Sequence, residues 1–92
     1  MTGGLPPRGI IREERFEREI EAIFPNIKRM DEAFEYLDIR LAGDPRSGIG
    51  SSVPGLWVAP IRVPGDAGVV RASLFYTFTD THVHYQSIRL AL

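Results

Sequence analysis

Residues 68–78 read GVVRASLFYTF. On a pleated strand, successive side chains point to opposite faces. Val70, Ala72, Leu74, Tyr76 and Phe78 then make one wholly apolar face, and Val69, Arg71, Ser73, Phe75 and Thr77 make the other. A chain carrying such a strand must cover one face of its sheet and can leave the second open. Arg71 falls on the open face, where a ligand or partner can reach it.

The rest of the chain supplies the cover. In residues 14–24, ERFEREIEAIF, the apolar positions Phe16, Ile20, Ile23 and Phe24 recur at i, i+4, i+7 and i+8, the stripe of an amphipathic helix. Glu14 and Arg18 pair at i, i+4 on another side. Pro25 ends that helix and Pro-Asn starts a second, in which Ile27, Met30, Phe34, Leu37 and Leu41 keep helical spacing until Gly43 and Asp44-Pro45 stop it. The two helices predict a hairpin whose apolar stripes face a common sheet, with their acidic side chains on the solvated side.

Residues 8–13, RGIIRE, suit a short strand ahead of the helices, and residues 44–55 have loop composition throughout. Three strands follow, at 56–63, 68–78 and 82–90, separated by PGDAG and TDT, breaks suited to antiparallel hairpins. Pro60 marks an edge or a bulge in the first of them. The predicted fold is α+β: a short N-terminal strand, then a two-helix hairpin on one face of a small antiparallel sheet of three to four strands. Residues 1–7, rich in Gly and Pro, predict a flexible tail, and 8–92 a single domain.

Composition narrows the function. The chain has no cysteine, which removes disulfides and thiolate metal sites. No apolar run approaches the roughly 20 residues of a membrane helix, and the N-terminus carries no apolar signal region, so a cytoplasmic protein without membrane contact is expected. The net charge of −1 is unevenly spread: residues 10–40 hold nine acidic against six basic side chains (−3), and 41–92 three against four (+1). A strong nucleic-acid binder is usually more basic. Even so, ten of the eleven basic residues are arginine, the better side chain for bidentate phosphate contacts.

In this order, RFEREI opening the first helix, LAGDPRSG closing the second, VPGLWVAPIRVP as a turn into a strand and VVRASLFYTFTD as an Arg-x-x-x-Tyr strand with an acidic hairpin resemble the RelE/ParE superfamily of bacterial toxins. The resemblance runs from about Ile10 to Ile88 and implies a toxin of a type II toxin–antitoxin system. RelE-like members cleave messenger RNA on the ribosome without metal; ParE-like members inhibit DNA gyrase; both are held by a cognate antitoxin.

Metal-free cleavage needs a base for the RNA 2′-hydroxyl, an acid for the leaving oxygen and cations for the developing phosphate charge. The resemblance puts Arg71 at the family's strand arginine and Arg62 at another basic position. It also leaves gaps. Val58, Ala59 and Pro60 stand where ribonuclease members carry lysines, and the chain reaches Leu92 ahead of the segment that holds their tyrosine, so that tyrosine is not expected. Arg89 is the last basic candidate.

His82 and His84 titrate near neutral pH and offer an acid or base; they also fit a plain reading as exposed residues near a hairpin tip. Asp80, His82 and His84 alternate in a spacing compatible with zinc or nickel, but no fourth ligand is evident, and no metal or cofactor is expected. The candidate catalytic residues are therefore Arg71, Arg62, His82 and His84. The leading expectation is RelE-like messenger RNA cleavage by an incomplete catalytic set. A gyrase inhibitor acting by protein contacts, and a non-toxic antitoxin-binding member, stand as alternatives.

Overall fold

The computed structural model describes residues 7–23, 27–65 and 68–90, without the side chains at 27–30, 64 and 65. Residues 1–6 of the expected tail, Phe24, the Pro25-Asn26 break, the side chains of Ile27 and Met30 and the tip of the 64–68 turn lie outside the described residues. The elements are β1 (Gly9–Arg12), α1 (Glu14–Ile23), α2 (Ile27–Gly43), a 3₁₀ turn (Pro45–Ser47), β2 (Ile49–Gly50), β3 (Trp57–Gly65), β4 (Gly68–Phe78) and β5 (His82–Leu90).

The α+β class and the helix pair agree with expectation; the sheet is larger and mixed. It has five strands in the order β1-β5-β4-β3-β2, with β1 parallel to β5 and the remaining pairs antiparallel. The 44–55 segment is not loop throughout: it holds the 3₁₀ turn and the two-residue strand β2, which pairs with Trp57 and Val58. Gly48 permits this close passage, because a Cβ there would run into the Tyr76 hydroxyl and come within 2.8 Å of the Val58 carbonyl. Pro60 lies beyond the reach of β2, on a stretch of β3 paired with β4 alone, so its missing N–H costs no ladder bond on that side. The bulge occurs elsewhere, in β5: Phe75 pairs with Ser87 and Tyr76 with Tyr85, leaving Gln86 without a Cα partner.

The alternation in β4 holds. Ala72, Leu74 and Tyr76 are buried, together with Ala59 and Val63 of β3 and Val83, Tyr85 and Ile88 of β5. Against them pack Phe16 and Ile20 of α1 and Phe34, Leu37 and Leu41 of α2. Phe16, Phe34 and Tyr85 form an aromatic centre with ring centroids 5.3 to 5.8 Å apart. The Tyr76 hydroxyl donates to the Pro45 carbonyl at 2.5 Å, tying the 3₁₀ turn to the sheet.

Not every helix acid is solvated. β1 covers the first half of the β5 edge, and the chain then leaves the sheet as α1. Glu19 of α1 takes over as edge partner, its Oε1 accepting from Ser87 Oγ at 2.7 Å and from the Ile88 N–H at 3.2 Å. A side chain thus satisfies an exposed strand edge that would otherwise invite pairing. Asp38 of α2 also turns inward, its Oδ1 accepting from the Tyr85 hydroxyl at 2.5 Å. By contrast, the Glu14–Arg18 pair forms at 3.7 Å but is largely exposed, and such pairs contribute little.

Burial pushes the Asp38 carboxyl above its ordinary value of 3.8, while the Tyr85 hydrogen bond and the Arg12 charge pull it back and Asp31 raises it. The folded state therefore holds the Asp38 proton more tightly than the unfolded chain. This contribution to stability is fully present below the unfolded value and is lost as pH rises through the folded one. Urea melts from pH 4 to 7 should accordingly show wild type losing stability relative to Asp38→Asn as pH increases. A difference growing in the opposite direction would mean that hydrogen bonding and the Arg12 charge outweigh burial.

Candidate functional site

The face of the sheet opposite the helices carries Val58, Pro60 and Arg62 of β3, Arg71, Ser73, Phe75 and Thr77 of β4, and His84, Ser87 and Arg89 of β5, as the register requires. The bulge adds Gln86 to that face, where it meets Phe75, Thr77 and Ser87 in a groove of about 510 Å³. Arg15 of α1 borders the groove, Val53, Pro54 and Leu56 of the loop between β2 and β3 make its apolar wall, and Arg89 completes the lining. Arg15 is held by Glu19 at 3.7 Å. The carboxylate that caps the β5 edge through Oε1 therefore also lies beside one groove cation through Oε2.

The four residues expected from the sequence share this face but divide into two pairs. Arg62 and Arg71 are direct cross-strand partners, both exposed, beside a shallow depression of about 250 Å³ that Ser73 and Pro60 also line. Among the described residues neither has a carboxylate within ion-pair distance. His82 and His84 lie on β5, with ring centroids 6.3 Å apart. Thr77, the β4 partner of His84, is six residues from Arg71. At roughly 3.4 Å per residue the two pairs stand about 20 Å apart. One phosphate cannot touch both.

The histidines are not equivalent. His84 Nδ1 lies 2.7 Å from Glu13 Oε2, a half-exposed pair that fixes which imidazole nitrogen faces the carboxylate. His82 is exposed, with Nδ1 2.9 Å from Thr81 Oγ1. His84 adjoins the groove, since its partner Thr77 and its second neighbour Gln86 both line it.

No protein-family model, curated protein or solved structure matches this chain. What the face can do follows from its own chemistry: an oriented imidazole, two arginines in reach of a groove, a half-buried aromatic ring and three neutral hydrogen-bonding side chains. Among the described residues no three His, Cys, Asp or Glu side chains are placed to hold a metal ion, so the alternation of Asp80, His82 and His84 does not gather a ligand set.

Glu13 and Arg15 escaped the sequence reading. Both belong to a run of alternating charges, REERFERE, whose local pattern signals only a helix start. Their role comes from the parallel β1–β5 pairing, which brings Glu13 beside β5 at a sequence separation of 71 residues from His84.

Proposed function

We propose that the chain is a toxin-like component of a type II toxin–antitoxin system that inhibits translation by metal-free cleavage of messenger RNA at its open sheet face. The observation that carries this reading is the His84–Glu13 contact at the end of an arginine-bordered groove. In neutral form, His84 Nε2 takes the proton of an RNA 2′-hydroxyl while Glu13 accepts the Nδ1–H and stabilises the imidazolium that forms. The 2′-oxygen bonds to the adjacent phosphorus, the P–O5′ bond breaks, and the products are a 2′,3′-cyclic phosphate and a 5′-hydroxyl. His82 in protonated form is placed to return a proton to the leaving oxygen, its ring 6.3 Å from that of His84. Arg15 and Arg89 offset the charge developing on phosphate.

The Arg62–Arg71 pair, about 20 Å along the strand, meets flanking phosphates rather than the reacting one. Function in the cytoplasm requires a cognate antitoxin to restrain the toxin, and Tyr36 and Ile39, 72% and 70% exposed on α2, offer it an apolar surface. Among the described residues no helix is long and apolar enough to cross a membrane.

Inducible expression in a bacterial host tests the proposal. Growth should stop, and primer extension should find new 5′ ends in translated messages. One observation favours a gyrase inhibitor instead: the strand arginines and the histidines do not surround a single phosphate. Growth arrest with intact messages, together with loss of DNA supercoiling by gyrase in the purified system, would decide for that alternative.

A further inference from the structure

Gln86 is out of step with its strand. The register passes from Tyr76↔Tyr85 to Phe75↔Ser87, and the extra residue turns toward the groove. Bulges of this kind re-aim a side chain, and they cluster beside functional sites. The residue so aimed is a carboxamide, and its orientation is fixed: Nε2 donates to Thr77 Oγ1 at 3.0 Å. Among the described residues the second N–H and the Oε1 carbonyl have no hydrogen-bond partner, which leaves one donor and one acceptor on the same carboxamide.

We propose that Gln86 reads an unpaired adenine bound in the groove. A carboxamide matches the adenine edge, accepting from N6 and donating to N7, which is the pairing by which Gln and Asn select adenine. Phe75, half-buried in the groove floor, supplies an aromatic surface for the base. Arg15 and Arg89 flank it for the adjoining phosphates. The apolar wall of Val53, Pro54 and Leu56 limits water on one side, so a base that leaves the carboxamide unpaired is rejected more strongly than it would be in open solvent. The volume of about 510 Å³ suits a nucleotide-sized ligand. This inference rests on the RNA reading for its ligand class and adds the base and the residue that selects it.

The test uses fluorescence anisotropy with uncleavable 2′-O-methyl pentamers UUNUU, N being A, C, G or U. Wild type should bind the adenine pentamer about tenfold more tightly than the other three. Gln86→Leu should bind all four alike, and Gln86→Glu, which keeps acceptors but presents no donor, should also lose the preference. The double variant Arg15→Ala/Arg89→Ala should weaken all four equally and keep the order. Equal binding by wild type, or a preference that survives both Gln86 variants, would overturn the role of Gln86 while leaving RNA binding intact. If no pentamer binds, or if the arginine changes leave binding untouched, the RNA reading itself fails.

Discussion

His84→Ala is expected to lower RNA cleavage by about 10²- to 10⁴-fold, the usual contribution of a positioned general acid or base. Folding should survive, because the His84–Glu13 pair lies at the surface, where ion pairs contribute about 0–1 kcal/mol, and the two side chains are 27% and 39% exposed. RNA affinity should also survive, since Arg15 and Arg89 remain. The loss should therefore fall on kcat rather than KM. Glu13→Ala should reduce kcat less, and Glu13→Gln, which keeps an acceptor for the imidazole N–H, should recover part of it. If His84→Ala cleaves at the wild-type rate, the chemistry lies elsewhere or the protein acts through contacts alone. Equal losses in binding and turnover would make His84 a contact residue rather than a base.

Elements defined by a local period were legible in the sequence, and contacts defined by register were not. The apolar alternation of 68–78 and the helical stripes of Phe16/Ile20 and Phe34/Leu37/Leu41 survive intact, because burial imposes the same period on sequence and structure. A two-residue strand such as Ile49–Gly50 is too short to show a period. Its pairing depends on Gly48 passing under the Tyr76 hydroxyl, a contact between segments 28 residues apart. The parallel β1–β5 pair is hidden for a different reason: alternation reveals which side chains are inside but not which way a neighbouring strand runs.

The same distinction governs the candidate site. Placing Arg62, Arg71, His82 and His84 on one open face needed only the strand period. Separating them into two ends needed the register, and finding Glu13, Arg15 and Gln86 needed the parallel pair and the bulge. Residue types can be chosen from sequence; distances between them across a sheet follow only once the strands are aligned.

Arg71, the charge set within the strand GVVRASLFYTF, should prove dispensable for stability: Arg71→Ala is expected to shift unfolding by about 0.5 kcal/mol or less. It is exposed, has no ion pair among the described residues and directly faces Arg62, a like-charge arrangement that is mildly unfavourable. The arginine that ties the layers together is Arg12. Its guanidinium lies 5.5 Å from the Phe34 ring centre and 6.0 Å from that of Phe16, with Asp31 at 3.6 Å and Asp38 at 3.9 Å. Among the described residues, Arg12→Ala leaves Asp38, 30% exposed, with the Tyr85 hydroxyl as its remaining partner. It also removes a cation from two core rings, a contact of about 0.5–1 kcal/mol where partly exposed. Partly exposed ion pairs contribute about 0–1 kcal/mol each, so with the ring contacts the loss is expected to be about 1–2 kcal/mol. Urea melts of the two variants beside wild type check both values. A loss of several kcal/mol for Arg71→Ala would mean that its guanidinium is spent on holding the fold, and the open face would then lose its claim to a free cation at that end. A near-neutral Arg12→Ala would mean that water or Tyr85 alone suffices for Asp38. The expected pattern, a costly Arg12 and a neutral Arg71, separates the arginine the fold needs from the one it leaves available to a ligand.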